Sequence, residues 1–249
     1  MKKKRKVSKK ILVVIVISLV FVFLLPLGAS AASVNVDVNG KGVDTLEIIE
    51  MLTVLALAPS ILIMTTCFTR IIIVLSFLKN ALGLQQTPPN QVLIGIALFL
   101  SLFIMSPVIT QINTEAYQPY KEQKITQEQF LKKAAVPMKK FMLKQTKKDD
   151  LNLFINLSKA KPVKSVDELS ITVVIPAFMT SELKRAFMIG FLIFIPFLII
   201  DIVVASTLMS MGMIMLPPAM ISLPFKLLLF ILVDGWGLLF KTLAVSFNM

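Results

Sequence analysis

The sequence predicts an all-α membrane protein, and three observations carry that prediction. The 249-residue chain is 56% hydrophobic and only 16% charged, with a mean hydropathy of +0.84, a balance outside the soluble globular range. Its apolar residues gather in continuous runs over 46–78, 92–112, 187–209 and 219–247. Each run supplies the roughly 20 helical residues that a bilayer core requires. Histidine is absent and Cys67 is the single cysteine, which removes the commonest general base, any internal disulfide and any CxxC metal site. Cys67 lies within an apolar run, the setting of a small buried hydrophobe and not of a nucleophile. The usual parts of an enzyme are missing, and no cofactor or metal is expected.

Positive charge is concentrated at the start. Lys2, Lys3, Lys4, Arg5, Lys6, Lys9 and Lys10 precede the apolar stretch ILVVIVISLVFVFLLPLG and the small-x-small sequence Ala29-Ser30-Ala31. That order reads as a secretory signal peptide over residues 1–31, cleaved after Ala31. KKKRKV has the composition of a nuclear import signal, but beside an apolar h-region it is the basic end of a leader. Without the leader, 19 basic residues face 14 acidic ones. The formal charge of +12 is therefore mostly targeting, and no nucleic-acid partner is expected.

Residues 32–45 form a polar arm on the outer side of the membrane, where Val34, Val36 and Val38 alternate as in extended chain. A first helical hairpin is expected over 46–112. Pro59 should kink or divide its first arm. Arg70 and Lys79 place positive charge at the far end, which the positive-inside tendency directs toward the cytoplasm. GLQQTPPN at 83–90 is a turn, most simply a tight loop, and Pro107 with the polar QINTE closes the second arm.

Residues 113–185 hold 14 basic and 8 acidic side chains and are expected as a small helical domain outside the membrane, because long loops translocate with little regard to charge. TQEQ at 126–129 has the spacing of a capping box. Phe130, Ala134, Met138, Phe141 and Met142 then share one helical face, opposite Lys132, Lys133, Lys139, Lys140 and Lys144, and Pro137 should bend the helix. Asp150 is placed to cap a short LNLFINLS helix, and Ser165 with Glu168 to form a second capping box. The lysines are most simply a solvated face, with membrane lipid or a protein partner as the alternative.

A second helical hairpin is expected over 186–249, its arms joined by a methionine- and glycine-bearing turn that ends in Pro217-Pro218. Asp201, Lys226, Asp234 and Lys241 interrupt these apolar arms, and charges so placed are functional suspects. Asp201 sits within FLIIDIVV, where an ionised and unpaired carboxylate is implausible. It must accept hydrogen bonds, pair with a cation or hold a proton. Glu182 by itself reads as a first-turn acid favoured by the helix dipole, and Asp234-Gly235-Trp236 as a cap at a membrane boundary.

IPAFMTSELKRAFMIGF, followed by IPFLIIDIVVAS and then by SMGMIMLPPAMISLPFKLLLFILVDGW, resembles the FliP family, the flagellar biosynthetic proteins of the type III export gate. The resemblance runs less distinctively through 51–112 and covers essentially the whole mature chain. The cleavable signal and the VDGW ending resemble the flagellar branch more than its injectisome relatives. The resemblance implies a pentamer that assembles with FliQ and FliR relatives and other export-apparatus proteins in the inner (cytoplasmic) membrane, at the flagellar basal body. It implies kinked helical hairpins that form a helical cone, much of it above the bilayer plane, through which unfolded flagellar proteins pass.

Residue roles follow from the same resemblance. Met209, Met211, Met213, Ile214 and Met215 would form a pore gasket, with Ile214 breaking a run that reads as consecutive methionines in the family. Methionine is unbranched and polarizable, so a ring of it can seal against ions and still reshape around a passing chain, and Gly212 adds backbone freedom beside it. On composition alone the same methionines would be ordinary membrane packing. Glu182 and Lys226 would pair between subunits or adjacent helices and fix register. Asp201 would make a polar contact between subunits, with Ser206 or Thr207 of a neighbour or with a cation of FliQ or FliR. Three rival readings stand beside this one: a proton- or cation-coupled secondary transporter using Asp201 and Glu182, an injectisome export-gate subunit, and an inert assembly scaffold. The absence of an inverted repeat counts against the transporter.

Overall fold

The computed structural model describes residues 36–38, 41–43, 45–158, 168–213 and 215–247. The leader with its cleavage residue Ala31, the capping residue Ser165 and the turn residue Ile214 lie outside the described residues. The chain divides into two units, 1–56 and 57–249.

In the first unit, β1 (Val36–Val38) pairs antiparallel with β2 (Lys41–Val43), Val36 opposite Val43 and Val38 opposite Lys41. This short hairpin is the one departure from an all-helical chain among the described residues. It uses the β-branched valines whose alternation marks extended backbone. Helix α1 (Thr45–Thr65) begins in this unit and runs on into the second.

The second unit contains α2 (Phe68–Ala81), α3 (Asn90–Ile112), a π-helical turn (Asn113–Tyr117), α4 (Gln118–Lys121), α5 (Gln127–Gln145), α6 (Lys148–Ser158), α7 (Ile171–Ser210), α8 (Pro218–Leu232) and α9 (Gly235–Val245). Pro59 and Pro107 do not end their helices. The expected division at Pro59 falls instead at Thr66 and Cys67. There the Thr65 hydroxyl donates to Ile61 O (2.8 Å) and the Thr69 hydroxyl reaches back across the break to Ile63 O (2.9 Å). The Thr65 bond is i−4 back-bonding within its own helix, and the Thr69 hydroxyl satisfies a carbonyl that the broken ladder leaves open. Helix α7 runs for 40 residues through Pro176 and Pro196, so residue 185 lies inside a continuous helix. The last apolar run is broken between α8 and α9 by a 63° bend, where Asp234 takes a left-handed conformation (φ 48°). Ile48–Thr65, Asn90–Lys121 and Ile171–Ser210 are long and apolar enough to cross a membrane, and the bent α8–α9 pair makes a fourth if it crosses as one span.

The main core forms around α2. Ile71, Val74, Leu75, Leu78 and Ala81 are buried at helical spacing, against Leu93, Ala97 and Ile104 of α3, Ala186 and Phe197 of α7, and Leu239 and Leu243 of α9. Gly190 lets α7 approach α2 closely, since a Cβ there would fall 2.5 Å from the Phe77 ring. A smaller cluster of Met142, Leu169, Val174 and Phe178 seats α5 on the start of α7. The capping box of α5 is closed in both directions: Thr126 Oγ1 accepts from Gln129 N–H (3.3 Å) and Gln129 Oε1 from Thr126 N–H (3.1 Å). Met138, Phe141 and Met142 face inward, while Lys132, Lys133, Lys140 and Lys144 are exposed.

The α2–α7 crossing yields a direct test. Gly190→Val places a branched side chain where the Phe77 ring lies, and overpacking of this kind costs about 1–3 kcal/mol. Thermal unfolding of the detergent-solubilised protein should show the loss, and Phe77→Ala in the same chain should recover part of it.

Candidate functional site

Helix α7 carries two acidic residues in its apolar length, and the structure gives each its own partner. Glu182 is fully buried and meets Arg70 of α2, itself fully buried. Arg70 Nε donates to Glu182 Oε2 (2.8 Å), and one terminal nitrogen donates to Oε1. The other terminal nitrogen donates to Ser246 O (3.0 Å) and Ser246 Oγ (2.9 Å), just beyond α9. The guanidinium lies 3.7 Å from the centroid of the Phe247 ring, a cation–π contact. Gln145 of α5 accepts from Arg70 (3.4 Å) and Arg185 (3.0 Å) and donates to Phe247 O (2.9 Å). One guanidinium thus joins α2, α5, α7 and the end of the chain. Arg is suited to this because its planar fork gives several directed donors at once.

Asp201 sits 19 residues further along α7, about 28 Å at 1.5 Å per helical residue. Its Oδ2 accepts from Lys226 Nζ (2.6 Å) and its Oδ1 from Ser222 Oγ (2.6 Å), both on α8. Lys226 also donates to Ala81 O at the end of α2 (3.1 Å). The side chain of Lys226 is 6% exposed and that of Asp201 33%. The expected partnership of Glu182 with Lys226 is therefore replaced within the chain by Glu182–Arg70 and Asp201–Lys226, because the length of α7 separates the two levels. Ser206 and Thr207 donate to Ile202 O and Val203 O of their own helix. Of the other charges in these runs, Asp234 and Lys241 are exposed. Asp234 makes no side-chain capping bond to α9, so the cap expected there is a left-handed bend, beside which Trp236 packs on Phe230 and Phe240.

Between Asp201 and Ser222 lies the methionine turn. Helix α7 ends as Gly212 N–H bonds to Met209 O (3.0 Å) and Met213 N–H to Leu208 O (3.0 Å), the glycine-terminated pattern that needs positive φ. Gly212 supplies it at φ 75°. Met209, Met211, Met213 and Met215 are 43% to 98% exposed, and none of them joins either core cluster.

A third charged site lies on α6. Asp150 stands within the first turn of α6 and not ahead of it, as a cap would, and it is buried. Its carboxylate accepts from Ser181 Oγ (2.6 Å) and from Lys184 of α7, while Ser181 Oγ also accepts from Lys147 N–H (2.9 Å). Burial alone would raise the carboxyl, but the Lys184 and Ser181 hydrogen bonds and the Lys184 and Lys147 charges hold it below the usual carboxylate range.

Arg70, expected only as positive charge at the cytoplasmic end of its run, is instead a buried cation that joins four parts of the fold. The signal for it is a guanidinium inside TRIIIVLSFLK, since a charge so placed requires a buried partner.

Long apolar helices fastened at two levels by ion pairs, one fully buried and one partly buried, with an exposed methionine turn beyond the second, define a polytopic helical membrane protein with a polar interior. Comparison with known proteins narrows that class. The model of the FliP family matches residues 51–243, a stretch that holds both ion pairs and the methionine turn. The flagellar biosynthetic protein FliP of Bacillus subtilis (strain 168) is 57% identical over 203 residues, 82% of this chain and 92% of that protein. Its namesakes from Pectobacterium carotovorum subsp. carotovorum and Aquifex aeolicus (strain VF5) are 53% and 52% identical, covering 82% and 84% of this chain and 79% and 88% of their own lengths. The chain belongs to the FliP family.

Two outcomes follow from the charged sites. Arg70→Leu strands the Glu182 carboxylate in the core and should cost about 3–5 kcal/mol, whereas Arg70→Leu with Glu182→Leu should recover most of it; unfolding in mixed micelles measures both. Asp150, held below its unfolded value, contributes stability above about pH 4 that is lost as pH falls through its lower folded value. The protection factors of α6 amides, corrected for the intrinsic pH dependence of exchange, should therefore hold from neutral pH to about 4 and fall below it, and Asp150→Asn should remove that dependence.

Proposed function

We propose that this chain is a pore-forming core subunit of a flagellar type III protein export gate, passing unfolded flagellar proteins out of the cytoplasm. The observation that carries the reading is the match to the FliP family over 51–243, which spans the exposed methionine turn. In this reading several copies, five by family resemblance, assemble with FliQ and FliR relatives in the inner membrane at the flagellar basal body. Their turns converge into a ring, and α5 and α6, within the domain expected outside the membrane over 113–185, lie on the outer side. Apolar side chains exposed along α7, such as Phe187, Phe191, Ile199 and Ile202, are then covered by neighbouring copies, partner subunits or lipid. The methionines close against ions at rest and yield to an entering chain, because their thioether side chains repack at little cost.

The breaks at Thr66–Cys67 and Val233–Asp234 are what favours the rival transporter reading, since discontinuous helices often frame ion sites. Here the two acidic groups that such a site would use are already held by cations of the same chain, Glu182 by Arg70 and Asp201 by Lys226.

Deleting the gene and assaying the culture medium for hook and filament proteins tests the role. Their disappearance, reversed by the wild-type gene, is expected, and undiminished secretion overturns the reading. Replacing Met211, Met213 and Met215 together by Ala should leave the assembly intact by size and raise its passive ion conductance several-fold in planar bilayers.

A further inference from the structure

Helices α2 and α7 both end on a glycine with positive φ, Gly83 (76°) and Gly212 (75°). At α2, Gly83 N–H bonds to Asn80 O (3.0 Å) and Leu84 N–H to Lys79 O (3.2 Å). That pattern satisfies the Lys79 and Asn80 carbonyls and leaves the Ala81 carbonyl open. Lys226 Nζ closes it at 3.1 Å and adds a cation at the negative end of the helix. The same ammonium is bonded to Asp201 on α7, and Ser222, one turn before it on α8, holds the other carboxylate oxygen. Gly83 also lies against α8, since a Cβ there would sit 3.9 Å from Leu223 Cδ1. Asp201 and Ser222 stand on the two arms of the α7–α8 hairpin, eight residues before Met209 and seven after Met215. The methionine turn is strung between them.

We infer that the Asp201–Lys226–Ser222 node is the clamp that sets the geometry of the methionine turn, and that Lys226, by also holding the end of α2, couples the α2–α3 tip (83–90) to that turn. Its consequence for the pore rests on the function proposed above, while the clamp itself rests on the bonds alone. The tip is a suitable input: Gln85, Gln86, Thr87 and Pro89 are exposed, so a protein partner can seat on them. A shift of the tip withdraws the Ala81 carbonyl from Lys226. The ammonium is then free to re-aim, and Asp201, its other ligand, moves with it on the arm that carries the turn. Asp201 and Lys226 are positioning residues in this scheme and do not themselves form the seal.

The test uses the full chain in its assembled complex in nanodiscs, with a spin label at Met213→Cys. The native Cys67 is buried and leaves the introduced thiol as the reactive one. Asp201→Asn with Lys226→Met removes both charges together, which a fold tolerates better than removing one. The label's rotational mobility should rise several-fold in this double variant, and stay at the wild-type value in Lys226→Arg, which keeps the cation. Gly83→Val, strained at its positive φ, should also mobilise the label when Lys226 is present and add nothing when Lys226→Met is already in place. An unchanged spectrum in the correctly assembled double variant overturns the clamp, and additive effects of Gly83→Val and Lys226→Met overturn the coupling. Ion conductance is recorded on the same samples. A mobilised label with unchanged conductance upholds the clamp and instead overturns the reading of the turn as a seal.

Discussion

Every charge that this chain draws into its apolar interior has to arrive with a partner, and that electrostatic requirement shapes the rest of the structure. A carboxylate withdrawn from water needs donors on its oxygens, and α7 carries two carboxylates, Glu182 fully buried and Asp201 partly buried, at levels too far apart to share one cation. Arg70 answers the first and Lys226 the second. Each cation also reaches a backbone carbonyl at a chain or helix end, Ser246 O for Arg70 and Ala81 O for Lys226. The two pairs therefore locate helix ends as well as neutralising charge. Among the described residues Ser101 Oγ alone is a buried side-chain polar atom without a partner, so the polar interior is close to fully satisfied.

Helix breaks follow the same logic. Where α1 gives way to α2, the Thr69 hydroxyl takes the Ile63 carbonyl that the break exposes. Where α2 and α7 stop, a glycine folds the backbone over its own last turn. In an environment without water each of these devices replaces a hydrogen bond that solvent would otherwise supply. The breaks can therefore lie within apolar runs, as at Thr66 and Cys67, and need not coincide with a proline. Pro59, Pro107, Pro176 and Pro196 all stand inside continuing helices.

The chain also leaves much apolar surface unburied. Along α7 the inward face packs on α2 through Ala186 and Gly190, with Phe187 edge-on to Phe77, while Phe191, Ile199 and Ile202 are exposed. The methionine turn is the extreme case, with Met215 almost wholly exposed. For a membrane protein of the FliP family, an outer face of this kind is surface on which lipid or further subunits complete the structure.

The helical membrane class, the runs that become the long helices, the capping box at Thr126, the glycine-bearing methionine turn and the family resemblance are all legible in the chain, because each is written in local composition, spacing or motif. Tertiary structure alone decided who meets whom. Arg70 is 112 residues from Glu182 in the chain and Lys226 is 145 from Ala81, and no periodicity along a strand of letters reports such pairings. The same holds for Asp150, whose place near a helix start makes it look like a cap although Ser181 and Lys184 pull it inward. It holds also for the division at Thr66 and Cys67, which falls where no proline stands and where the Thr69 hydroxyl bridges the break. Local chemistry is legible one residue at a time, whereas the partner of a buried charge is set by the long-range packing that brings the helices together.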